Sequence, residues 1–158
     1  MKGECFICRT IEDIERGKNP YFVLELDTGY IVLGHHQFYR GYTLFLCKKH
    51  VFELHELEKG FRERFLAEMS LVAEAVFRAF RPKKLNYELL GNSQPHLHWH
   101  IFPRYQNDSN PRKPVWCTDE GIRYSEGTKP SENELNELRE KLLNELVRLV
   151  KKKSATSP

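Results

Sequence analysis

Apolar positions fall into stretches of two different periods. Between 58 and 80, Phe61, Phe65, Met69, Val72, Val76 and Phe80 recur at intervals of four, four, three, four and four. That spacing puts them on one stripe of an α-helix, a pattern that marks core packing. Pro82 ends it, having no N–H for the helical ladder. A second stripe, Leu135, Leu138, Leu142, Leu146 and Leu149, follows Pro130-Ser131-Glu132-Asn133-Glu134. There Ser131 and Glu134 are placed to cap each other's backbone at a helix start. A short third helix is expected over 9–16, carrying Ile7, Ile11 and Ile14 and stopping at Gly17.

Elsewhere the text is β-like, rich in aromatic and branched residues. Strands are expected over 21–26 and 30–33, joined by a turn at Asp27-Thr28-Gly29, and again over 42–47. A fourth is expected over 85–90, and Gly91-Asn92-Ser93 reads as a turn that would set it antiparallel to a fifth. The fifth is His96-Leu97-His98-Trp99-His100-Ile101-Phe102-Pro103-Arg104. Side chains alternate along a strand, so its three histidines would share one face at about 6.6 Å spacing. Leu97, Trp99 and Ile101 would fill the other. A polar face is more simply built from Thr, Ser or Lys, so an imidazole row is a candidate for chemistry.

With 158 residues and 40% hydrophobic content, the chain suits one domain with a genuine core. The formal charge is +3, and Lys151, Lys152 and Lys153 match it alone. The body is therefore near neutral, which argues against a broad nucleic-acid footprint. The basic end, 151–158, is expected to be a short flexible tail. Residues 1–4 carry no signal-peptide core and no apolar run reaches membrane length, so a cytoplasmic protein is expected. Four cysteines, at 5, 8, 47 and 117, are too few and too scattered for a disulfide framework. Arg104, and Arg112 and Lys113 of the loop 105–113 that follows it, are candidate phosphate contacts, and Trp116 is expected to anchor the segment by burying its ring. No internal repeat is found.

Cys5 and Cys8 form a C-x-x-C pair almost at the terminus, with no strand before them. Redox pairs of this kind sit between a strand and a helix, so metal ligation is the preferred reading. Two thiolates need two more ligands to close a tetrahedral zinc site. His35 and His36 diverge as adjacent residues and are left out of that set.

The histidine stretch resembles the motif of the histidine triad family, His-φ-His-φ-His-φ-φ with φ apolar, matched here from His96 through Phe102. The resemblance covers roughly 5–104. It implies an α+β fold, a five-stranded antiparallel sheet with one long packed helix, to which this chain adds the loop and helix of 105–153. It also implies a homodimer. By position, Cys5, Cys8, His50 and His96 would bind a structural zinc, a set with no open coordination position. His98 would attack the α-phosphorus of a nucleotide and form a covalent nucleotidyl-histidine, and His100 would serve the phosphoryl oxygens or the leaving group. Asn92 falls where relatives place an amide beside the phosphate, and Gln94 stands in the Asn92-Ser93-Gln94-Pro95 that replaces their Gly-Gln. Two other positions depart from the common pattern: Gly34 where many relatives have an acid for the ribose hydroxyls, and Arg40-Gly41-Tyr42 where many have Pro-Gly-His. The function so implied is nucleotide hydrolysis or nucleotidyl transfer, on dinucleoside polyphosphates such as diadenosine tetraphosphate or on nucleoside phosphoramidates. The rivals are a zinc-stabilised nucleotide-binding module with little turnover, and a DNA-end processing enzyme, which would require a basic module not seen here.

Overall fold

In the computed structural model, which describes residues 5–156, five strands pair into one antiparallel sheet. They are β1 (Phe22–Glu25), β2 (Gly29–Leu33), β3 (Thr43–Cys47), β4 (Lys84–Glu88) and β5 (His98–Arg104). The order across the sheet is β1-β2-β3-β5-β4, which places the histidine strand inside and leaves β1 and β4 as edges. Four helices accompany them: α1 (Phe6–Glu15), α2 (Lys59–Phe80), α3 (Glu120–Arg123) and α4 (Glu132–Thr156). Positions 1–4 and 157–158, the N-terminal stretch and the end of the basic tail, lie outside the described residues.

The two faces of the sheet do different work. Ile31, Leu33, Phe45 and Ile101 are completely buried on the face that α2 covers with Phe65, Val72 and Val76. The leucine stripe of α4 joins this core, and α4 packs along α2 and β1. On the opposite face α1 lays Ile7 and Ile14 against Tyr30, Val32 and Leu46. β2 is thus buried at every position, which is why it reads as a continuous apolar run. Glu68 of α2 points inward and caps the β1–β2 turn, its carboxylate accepting from Asp27 N at 3.1 Å, Thr28 N at 2.9 Å and the Thr28 hydroxyl.

The Ser131–Glu134 cap forms as expected, with Ser131 N donating to Glu134 Oε2 at 2.9 Å. Four expectations need correction. His96 is not in the strand: Pro95 has no N–H to offer a ladder, and His96 N–H closes a turn onto Gln94 O at 2.7 Å. β4 and β5 are antiparallel neighbours, but the link is a longer excursion over 89–97, not a tight turn. Trp116 is 40% exposed, and the completely buried Val115 is the anchor, seated with Tyr39, Tyr42 and Phe102. Lys151, Lys152 and Lys153 belong to the end of α4, where cations suit the partial negative charge of a helix C-terminus.

Candidate active site and metal centre

Two sites meet at His96. Cys5 is the N-cap of α1 and Cys8 lies in its first turn, so helix geometry turns both sulfurs the same way. His50 follows β3 and His96 precedes β5. The four ligand atoms lie within 4.8 Å of one another. The two imidazole Nδ1 atoms are 3.2 Å apart, Cys8 Sγ is 3.2 Å from His50 Nδ1, and both sulfurs are 3.5 Å from His96 Nδ1. A tetrahedron with metal–nitrogen bonds of about 2.0 Å and metal–sulfur bonds of about 2.3 Å has edges of roughly 3.3–3.8 Å. The donor set and its spacing therefore fit zinc. His96 Nε2–H donates to Cys47 O at 2.8 Å, and this carbonyl fixes the tautomer that leaves Nδ1 bare for a metal. His35 and His36 are not in this cluster.

The neighbouring histidine has the opposite proton arrangement. His98 Nδ1 lies 2.5 Å from the carbonyl oxygen of His96. A carbonyl only accepts, so Nδ1 carries the proton and Nε2 keeps its lone pair. Burial lowers the His98 pKa below its ordinary value against an opposing contribution from that backbone bond, so the ring is neutral near pH 7. His100 sits one pleat along, its ring centroid 4.6 Å from that of His98. Burial, reinforced by His98, pushes its pKa down to about 3.

His98, His100 and Gln94 line a cavity of about 260 Å³ together with Tyr42, His35 and Tyr124. No Lys, Arg, Asp or Glu is among its lining residues, so an anionic group here would meet N–H and O–H donors. The far wall comes from outside the triad strand: His36 Nδ1 is 2.9 Å from Thr128 Oγ1, and Gln37 N donates to Thr128 O at 2.7 Å. These bonds fasten the segment carrying Tyr124 to the cavity wall.

Not every expected residue arrives at the cavity. Asn92 is exposed on the 89–97 excursion and is not among the lining residues. Arg104 is 4% exposed and its donors are engaged with Asp108 at 2.8 Å, Asn86 at 3.0 Å, and the carbonyls of Lys113 and Asn110 at 2.7 Å each. It organises the following loop, with four of its five N–H donors committed to protein acceptors, and it is not among the cavity's lining residues. Conversely, Tyr42, His35, His36 and Tyr124 were not singled out as site residues. Tyr42 carried a signal in its register, since β3 pairs Leu44 with His100, but that pairing is invisible in a linear reading.

The HIT domain family model matches residues 16–107. Among solved structures, a histidine triad protein from Marinobacter aquaeolei VT8 is 26% identical, with 81% of this chain and 89% of that one covered and a TM-score of 0.69. A hypothetical histidine triad nucleotide-binding protein from Sulfolobus tokodaii strain 7 is 22% identical, with 90% and 93% covered and a TM-score of 0.69. A Zn-bound histidine triad family protein from Mycobacterium smegmatis is 20% identical, with 96% and 99% covered and a TM-score of 0.63. No curated protein matches the chain.

Proposed function

Because the chain belongs to the HIT domain family, whose members are generally nucleotide hydrolases or transferases, we propose that it cleaves a bond at the α-phosphate of a nucleotide through a covalent nucleotidyl-His98. The observation that carries this is the bond from His98 Nδ1–H to His96 O. It leaves Nε2 as an unprotonated nucleophile on a cavity free of charged side chains. The Nε2 lone pair forms a P–N bond as the bond from phosphorus to the leaving group breaks. The leaving group departs with the electron pair and takes up a proton. The positive charge that develops on the His98 ring falls on Nδ1–H, already held by a carbonyl. Water then attacks phosphorus, the P–N bond breaks, and nucleoside monophosphate is released. Gln94 and His100 are the proposed contacts for phosphoryl oxygens, with Asn92 at the edge. Diadenosine tetraphosphate and adenosine phosphoramidate are the first substrates to test.

Zinc is the proposed occupant of the Cys5, Cys8, His50 and His96 set, supported by the spacing above and by the zinc reported for the Mycobacterium smegmatis relative. Four protein ligands leave no open position, so its role is structural: it fastens α1 to the end of β3 and the start of β5.

The test is His98→Asn, in which an amide of similar polarity replaces the nucleophile. Turnover should fall by several orders of magnitude, while nucleotide affinity stays within about tenfold. Wild-type protein quenched during turnover should carry a phosphoramidate adduct on His98. Near-normal turnover of His98→Asn would overturn covalent catalysis here. A wild type that binds nucleotides and cleaves none would instead make this a zinc-stabilised binding module.

A further inference from the structure

Tyr42 enters β3 beside the last triad histidine, and three features hold its ring in one place. Its face stacks on Phe102 with centroids 4.1 Å apart and planes 7° from parallel. Gly34 gives the ring its space: a Cβ at that position would come within 2.2 Å of a Tyr42 ring carbon. Gln37 ties the flanking backbone, its amide donating to Gly34 O at 2.8 Å and Tyr42 O at 3.0 Å while its oxygen accepts from Gly41 N at 2.8 Å. So fixed, the Tyr42 hydroxyl lies 2.6 Å from His100 Nδ1.

The direction of this bond follows from what each partner can do. Burial raises the phenol far above its ordinary pKa, so it keeps its proton. His100 is neutral, with one protonated and one bare nitrogen. If Nδ1–H donated to the phenol, the phenolic proton would be left buried with no acceptor among the described residues, a costly arrangement. The phenol therefore donates, Nδ1 accepts, and the ring proton sits on Nε2, which no described protein group engages.

We infer that Tyr42 is a positioning residue that holds His100 as its Nε2–H tautomer, so that His100 meets the substrate as a neutral hydrogen-bond donor. The two adjacent rings then carry opposite tautomers, each set by a different acceptor or donor. His98 presents a lone pair and His100 an N–H to the same cavity. One suits attack on phosphorus and the other suits a phosphoryl oxygen, and His100 is thereby a charge-stabilising donor, not a base. The use made of His100 rests on the nucleotidyl-transfer reading, whereas the place of its proton does not.

The experiment is long-range proton–nitrogen NMR of the full chain, as purified, with ¹⁵N-labelled histidine and no substrate. His100 in the wild type should show a bare Nδ1 and a protonated Nε2, and His98 the reverse. Tyr42→Phe keeps the ring stack and removes only the hydroxyl. It should release His100 into a mixture of tautomers and leave the His98 pattern unchanged. Gly34→Ala, which displaces the Tyr42 ring, should move the same His100 signals. With diadenosine tetraphosphate or adenosine phosphoramidate, whichever is cleaved, Tyr42→Phe should lower kcat about tenfold and leave KM nearly unchanged, the scale of one hydrogen bond made in the transition state. A protonated Nδ1 on His100 in the wild type, or a Tyr42→Phe spectrum with His100 unaltered, overturns the inference. Failure of the wild type to cleave any nucleotide would defeat the functional reading and leave the tautomer result standing.

Discussion

His100 is pushed down to about 3, chiefly by burial and then by His98 beside it, and that shift has a sign in stability. In the unfolded chain the same imidazole takes a proton near its ordinary value of about 6.5. Between that value and about 3 the unfolded state binds more protons, so stability falls as the solution is acidified through this window. One such group costs about 1.4 kcal/mol per pH unit, or about 2 kcal/mol between pH 6.5 and pH 5. Urea unfolding of the wild type should therefore show a clear loss from pH 7 to pH 5. His100→Gln should reduce that loss by about 2 kcal/mol; an unchanged difference would mean the ring is not held neutral. Residue identities in the triad were legible from spacing alone. Their proton arrangements were not: those of His96 and His100 depend on partners brought from elsewhere, Cys47 O and Tyr42, and that of His98 on the local backbone turn that aims His96 O at its ring. Arg104 shows the same limit, since a guanidinium read as a phosphate ligand turns out to be shared among four protein acceptors.

At the scale of elements, the strand and helix positions follow the apolar periodicity closely, because both periods reflect a one-sided core. The exceptions are places where something other than burial decides. β5 begins at His98, two residues later than the alternation suggests, because Pro95 and the turn at His96 aim the His96 ring toward the cysteines. α1 is the element most dependent on this centre. With Cys5 as its N-cap it brings two of the four candidate ligands, and it seals the sheet with only Ile7 and Ile14 fully in place. Protein prepared without added metal should contain about one zinc per chain, as four-ligand structural sites do. Cys5→Ser should lower zinc content and melting temperature together, with loss of helical circular dichroism well short of complete unfolding. A metal-free protein with unchanged melting would remove the structural role of the cluster.

Across the whole molecule, α4 and the segment before it lie beyond the matched family region, yet they complete both the core and the cavity. Leu138, Leu142 and Leu146 are almost wholly buried, and the latch through His36 and Gln37 fixes the cavity wall. From the sequence, α4 was plain, whereas the wall was not: Tyr124 and Thr128 sit in polar text without a period. No helix among the described residues is long and apolar enough to cross a membrane. We expect a homodimer joined through α2 and the edge strand β4, where Phe77 and Tyr87 stand 44% and 48% exposed. Light scattering at micromolar concentration should give twice the 18.7 kDa chain mass, and Phe77→Glu with Tyr87→Glu should return it to one. A monomeric wild type would count against this assembly.

His96 contributes its ring to the cysteine cluster and its carbonyl oxygen to His98. These two halves differ in how heredity can reach them. A codon change can replace the ring and so dismantle the metal set, but every amino acid supplies a main-chain carbonyl. The acceptor that fixes the His98 tautomer is therefore immune to point mutation in its chemistry and vulnerable only in its position. In a saturation scan, position 96 should consequently behave as a scaffold residue: its variants should fail in yield and heat resistance, and the molecules that still fold should retain a correctly protonated His98.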